Sequence, residues 1–109
     1  MTVREMAEHL SLTPVAIGDG EREISGVYIG DLLSWVMGRA SSDNAWITIM
    51  SNINVVAVAT LADVACIILA EGVTLDDTVR TTAETKGVNV YTSEKTAYEL
   101  AALLARLLP

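Results

Sequence analysis

The chain has no phenylalanine, one cysteine, one histidine and two prolines among its 109 residues. Each shortage removes a class of chemistry. A lone cysteine, Cys66, forms no internal disulfide; it opens an apolar run, where cysteine behaves as a small buried hydrophobe. Cys66 and His9 stand far apart and supply no cluster for zinc, so neither a metal nor a cofactor is expected. His9 falls on the polar side of an amphipathic segment and is read as a solvated helix residue. With Trp35, Trp46 and three tyrosines as the whole aromatic supply, a base-stacking platform is poorly furnished. Basic residues are also scarce: seven Lys and Arg against 14 Asp and Glu give a formal charge of −7. The seven are scattered along the chain, so a phosphate backbone would be repelled and nucleic acid is not an expected partner. The acid excess is read as a solubility device.

Catalytic signatures are missing as well. No Gly-Lys-Ser/Thr occurs, so there is no P-loop, and Gly18-Asp19-Gly20 lies in an early turn and does not continue as a dinucleotide fingerprint. No nucleophile–base pair can be read. Asp76-Asp77 is explained by the first turn of a helix, where negative charge meets the positive end of the dipole. Glu71 alone among the carboxylates stands at the end of an expected central strand, and a lone carboxylate is not a mechanism. Met1–Leu10 is charged and amphipathic, unlike a secretory signal. The most apolar region, Ile53–Ala70, is broken by Asp63 and is read as a helix followed by a strand, not as a membrane span. These features lead to the expectation of a non-enzymatic cytoplasmic protein without a membrane partner.

What the chain does have is apolar residues, 51% of the total. Its length is that of one domain, residues 1–109, which buries roughly 65% of its unfolded surface. A small domain has little interior, so part of the apolar surplus is expected at a subunit interface, most simply in a two-fold homodimer, with a protein partner as the other occupant.

Three short apolar runs, Ala45–Met50, Cys66–Ala70 and Val88–Tyr91, each end abruptly in small or polar residues and each precede a helix-like stretch. This is the pattern of a mostly parallel sheet with crossover helices, an α/β fold. Ahead of them, Thr2 and Glu5 have capping-box spacing for a helix through Leu10. Pro14–Ile17 and Ile24–Ile29 are strands around the Gly18-Asp19-Gly20 turn, read together as a hairpin. Asp31 is placed to cap a short helix Leu32–Met37 stopped by Gly38, and the near absence of polar residues there makes it either deeply buried or part of an interface. Asn54–Ala65 contains Val55, Val56 and Val58, which favour a strand, but a parallel crossover needs about a dozen residues, and helix is assigned. A further helix runs from Thr74 to Gly87 with a stripe of Leu75, Val79 and Ala83 and an Asp76–Arg80 pair. The last, Glu94–Leu108, is capped by Thr92 or Ser93. Its apolar face, widened by Leu103 and Leu107, again suggests a partner subunit.

From Ile24 onward the chain resembles the DRTGG domain family. The resemblance rests on the glycine-containing strand Ile24-Ser-Gly-Val-Tyr-Ile-Gly30, a sheet strand with a polar end, and Cys66-Ile-Ile-Leu-Ala-Glu-Gly72. It continues through a helix leading to Gly87-Val-Asn-Val90 and ends with Thr92-Ser-Glu-Lys-Thr96-Ala-Tyr98-Glu99. Where the family signature has Asp-Arg, this chain has Ser51-Asn52-Ile53-Asn54; where it has Thr-Gly-Gly, this chain has Ala70-Glu71-Gly72. The resemblance implies an α/β domain similar to the amino-terminal domain of HPr kinase/phosphorylase, without the kinase domain. It also implies a regulatory role, since such domains are usually attached to CBS-containing proteins, pyrophosphatases or acetyl-transfer enzymes. Anion-favouring residues are replaced by Asn, Ser and Glu, which implies an altered ligand or a lost one.

Ligands of open α/β sheets sit outside the carboxyl ends of the strands. The expected site for a small molecule, nucleotide-like or another metabolite, therefore combines Met50, Ser51, Asn52 and Asn54 with Glu71, Gly72, Thr92, Ser93 and Thr96, bordered by Tyr28 and Asp31.

Overall fold

Thr2 accepts a hydrogen bond from the Glu5 amide and the Glu5 carboxylate returns one from the Thr2 amide, so the expected capping box opens α1 (Val3–His9). In the computed structural model, which describes residues 1–109, this helix leads to β1 (Thr13–Ala16), β2 (Gly26–Ile29), α2 (Leu33–Arg39) and β3 (Asn44–Thr48). The chain continues through α3 (Asn54–Ala62), β4 (Cys66–Leu69), α4 (Asp77–Thr85), β5 (Val90–Thr92) and α5 (Ala97–Leu107).

The five strands form one sheet in the order β1-β5-β4-β3-β2, with β1 antiparallel to β5 and every other pair parallel. The fold is thus the expected mostly parallel sheet with crossover helices. The expected hairpin is absent: β1 and β2 lie at opposite edges, because β1 pairs with β5 and β2 pairs with β3. A tight turn at Gly18-Asp19-Gly20 would have joined neighbours; here the intervening residues cross beneath three other strands.

The pleat divides the core. Cys66 and Ile68 of β4, with Ala45 and Ile47 of β3, pack with α1 and with Leu100 and Leu104 of α5. Ile67 and Leu69, with Trp46 of β3, face the other side and pack with Val36, Val55, Val56, Val79 and Ala83 of α2, α3 and α4. The crossovers β2–α2–β3, β3–α3–β4 and β4–α4–β5 all step in one direction, and a constant hand of crossover puts their helices on one face. Asn54–Ala62 is helical despite its three valines because this is the face it must cover: Val55, Val56 and Val58 are buried there. Tertiary burial outweighs the small propensity cost of a β-branched residue. Cys66 is fully buried, and desolvation pushes its thiol up to about 12. It is an inert core residue, as expected. No helix is long and apolar enough to cross a membrane.

Residues 17–25 form a belt under the amino-terminal ends of the strands. Asn89, just before β5, is 3% exposed; its side chain accepts from the Gly18 amide (2.7 Å) and donates to the carbonyls of Asp19 (2.9 Å) and Ala65 (3.1 Å). Arg22 reaches Asp43 before β3 at 2.6 Å and Asp63 before β4 at 2.8 Å. Asp43 and Asp63 both have positive φ, a conformation that Asp tolerates better than most residues. Gly18 passes so close that a Cβ would lie 2.0 Å from the Gly87 carbonyl oxygen. A cavity of about 130 Å³ remains under the belt, among residues that include Asp19, Arg22 and Asn89. Every buried side-chain polar atom in the molecule has a hydrogen-bond partner.

Several local expectations are corrected by tertiary contacts. Asp31 does not cap α2, which has no side-chain cap; its carboxylate is taken by Thr48 and Ile49. Gly38 lies inside α2 instead of stopping it. The helix expected from Thr74 starts at Asp77, because Asp76 is its cap and accepts from the Val79 amide; Arg80 pairs with Glu84 and Asp77 instead of Asp76. The last helix is capped by Thr96, not by Thr92 or Ser93. The helix α2 is not deeply buried: only Val36 is, while Leu32, Trp35 and Met37 are about half exposed.

Candidate functional site

Parallel pairing of β2, β3, β4 and β5 brings their carboxyl ends to one edge, and α2, α3, α4 and α5 each begin there. The belt occupies the opposite edge. Helix starts carry unpaired amides and the positive end of the dipole, so this is the edge where a polar ligand finds donors.

From β3 the chain leaves through Met50, Ser51 and Asn52. The Met50 side chain is half-buried and packs on the core beneath α2, α3 and α4. Asn52 turns back on itself: its Oδ1 accepts from the Asn54 amide at 2.9 Å, and its Nδ2 donates to no group of the protein. Ser51 is partly exposed, and Asn52 and Asn54 are exposed.

From β4 the chain turns through two consecutive left-handed residues, Glu71 (φ 58°) and Gly72 (φ 75°). Such backbone persists where its surroundings determine it. Here the Glu71 amide donates to the Lys95 carbonyl at 2.9 Å and the Gly72 amide to the Ser93 carbonyl at 2.8 Å. A Cβ at position 72 would lie 2.7 Å from the Glu94 carboxylate, so glycine suits both the turn and the close approach.

From β5, the Thr92 hydroxyl donates to the Val73 carbonyl at 2.5 Å and is spent on holding the two loops together. The Ser93 Oγ accepts from the Lys95 amide at 3.1 Å. Thr96 caps α5 in a second capping box with Glu99, and the Thr96 backbone N–H, then its hydroxyl, hold the Glu99 carboxyl below the usual carboxylate range. That carboxylate already occupies the positive end of α5.

The structure thus brings together the ends of β4 and β5 through direct hydrogen bonds, and places the β3 end beside them through the Ala70 amide, which donates to the Thr48 carbonyl. Asp31 joins the group by accepting from the Thr48 hydroxyl at 2.8 Å. Tyr28 belongs to the core layer under α2, with its ring folded back over Gly30. The edge is shallow: of the expected residues only Asn54 lines a cavity, and it does so on the outer side of α3.

Three residues at this edge had not been singled out in the sequence. Thr48 is 2% exposed and orients both Asp31 and the Met50 amide. Glu94 covers Gly72, and Lys95 brings the nearby positive charge. A threonine closing an apolar strand, and a charged pair just ahead of a capping box, were the available signals. Chemically the edge offers outward amide and hydroxyl groups from Ser51, Asn52 and Asn54, the carboxylates of Glu71 and Glu94, and one ammonium. This suits hydrogen bonding more than capture of a highly charged anion.

No family model and no curated protein matches the sequence. Among solved structures, it is similar to the CBS and DRTGG domains of the regulatory region of Clostridium perfringens pyrophosphatase, complexed with the activator diadenosine tetraphosphate. The match has a TM-score of 0.76 and 16% sequence identity over 99% of this chain. The chain spans 47% of that structure's chain. The architecture described above is therefore DRTGG-like.

Proposed function

We propose that these 109 residues act as one non-catalytic regulatory module, cytoplasmic, that binds a small molecule at the carboxyl-terminal edge of its sheet. The observation that carries this reading is the shared architecture with a regulatory region whose complex holds a nucleotide activator. The convergence of the polar strand ends and the two helix starts without a side-chain cap, those of α2 and α3, on one edge, opposite the belt, supports it. The ligand class is a nucleotide or a related metabolite, recognised through Ser51, Asn52, Asn54 and Ser93. Because the carboxylates of Glu71 and Glu94 stand at this edge, recognition falls on the uncharged parts of the ligand.

A thermal-shift panel of diadenosine tetraphosphate, ATP, ADP, AMP and adenosine tests this. A ligand near 100 times its dissociation constant adds about 2.7 kcal/mol, which raises the melting temperature of a domain this size by about 10 °C. Asn52→Ala and Ser93→Ala should each weaken the responding compound about fivefold, the loss of roughly one hydrogen bond at about 1 kcal/mol, with the unliganded melting temperature nearly unchanged. Absence of any shift across the panel counts against nucleotide binding. Wild-type affinity in both variants removes the site from this edge.

A second reading, self-association into a homodimer, is favoured by one observation: Leu32, Trp35, Met37, Ile53 and Leu61 are all about half exposed or more on the α2–α3 layer. The two readings are compatible.

A further inference from the structure

The helix α3 (Asn54–Ala62) contains no charged residue, although the chain has 21 charged side chains (Lys, Arg, Asp and Glu) in 109 residues. Its outer surface is a ridge of Asn54, Ala57 and Leu61, three residues at helical spacing, with Leu61 70% exposed. A groove of about 310 Å³ separates this ridge from α2, with Leu33 and Met37 on the far wall. A second groove of about 340 Å³ separates it from α4, with Ile53 at one end and Thr82 and Lys86 opposite. No acidic residue lines either groove.

We propose that α3 is the seam of a homodimer, the ridge of each copy lying in a groove beside the α3 of the other. This rests on the self-association reading above and names its surface. Three features commit the occupant to a second copy. A ridge flanked by grooves can dock ridge into groove against a copy of itself, the arrangement a two-fold contact uses. Two copies each carrying −7 repel, so they approach most easily through a surface without acids, and neither groove is lined by one. Leu61, Met37 and Ile53, with the neighbouring Leu32 and Trp35, are each 45–70% exposed, an apolar cluster of the kind that forms the centre of a standard interface. Ala57 at the centre of the ridge lets the two helices approach closely. Of the edge described above, only Asn54, at the start of α3, is shared with the seam; Ser51, Asn52 and Ser93 line neither groove and stay open in such a dimer.

The test is light scattering coupled to size exclusion on the full chain, from about 5 to 500 μM. Wild type should elute as a dimer, and Leu61→Glu and Ala57→Arg should each raise the dimer dissociation constant at least about 100-fold. Both positions are exposed, so circular dichroism should stay near wild type, while melting should fall only by the stabilisation that the lost association supplied. Tyr98→Glu, on the remote α5 and 81% exposed, should leave the dimer intact. A monomeric wild type throughout the range overturns the self-association reading and the seam with it. A wild-type dimer that persists in both α3 variants overturns the seam alone. So does a dimer broken only by Tyr98→Glu.

Discussion

Asn89→Ala removes the clamp that fixes the belt, and its cost can be worked out from the structure. The side chain makes three hydrogen bonds at 2.7, 2.9 and 3.1 Å, all to backbone, and is 3% exposed. At about 1 kcal/mol net for each bond the loss is about 3 kcal/mol. A water entering from the adjoining 130 Å³ cavity can replace one of them, setting a lower end near 2 kcal/mol. In urea, with a slope of about 1.2 kcal/mol/M for a domain of this size, the midpoint should fall by about 2 M. Trp46, fully buried and donating to the Gly30 carbonyl, reports unfolding by its fluorescence. Asn89→Asp sharpens the test. Its carboxylate still accepts from the Gly18 amide but now faces two carbonyls, so burial raises its pKa in the folded state above the unfolded value near 3.9. Below about pH 4 both states are protonated and the variant should lie closest to wild type; its stability should then fall as pH rises toward the folded-state pKa. A midpoint for Asn89→Ala within about 0.4 M of wild type would refute the view that these bonds hold the belt. So would an Asn89→Asp penalty that shrinks as pH rises.

Two further outcomes follow from the same structure. Asp63 is held below the usual carboxylate range by the Ser42 hydroxyl and then by Arg22. Its stabilisation is present above its unfolded pKa and disappears as pH falls through the folded value. Asp63→Asn, which keeps the left-handed backbone comfortable, should therefore be less stable than wild type at pH 7, with the gap closing in urea melts as pH falls through the carboxylate range; a gap that does not change with pH contradicts the pairing. Cys66, buried and with its thiol pushed up to about 12, should resist a disulfide reagent at pH 8 in the native protein and react promptly in urea. Rapid native labelling would show that the β4 core opens.

The parts of this fold that could be read from sequence are those set by neighbours in the chain. Thr2 and Glu5 cap α1 through contacts three residues apart, and the apolar runs at residues 45, 66 and 88 carry their strands in their own composition. The failures occur where a distant residue decides. Pro14–Ile17 and Ile24–Ile29 looked like partners because a glycine turn separates them, yet β1 finds its ladder on β5, more than 70 residues away. Asp31 had the position of a cap and was claimed by Thr48 instead. The start of α5 was legible and missed: Thr96-Ala-Tyr-Glu99 is a capping box as clear as the first. At the candidate site, the strand ends were placed by their polar residues. That Thr92, Glu71 and Gly72 spend hydrogen bonds on tying two loops together, leaving Asn52 and Ser51 outward, depends on loop conformations that no local pattern specifies.

The central claim is that a small molecule binds at the carboxyl ends of the strands. Two-dimensional amide NMR of the labelled protein, titrated with whichever compound of the nucleotide panel raises its melting temperature, tests it most directly. The account predicts saturable shifts confined to residues 50–54, 71–73 and 92–96, while the amides of the belt at 17–25 stay in place. Shifts centred on the belt, or none at saturating ligand, would contradict it.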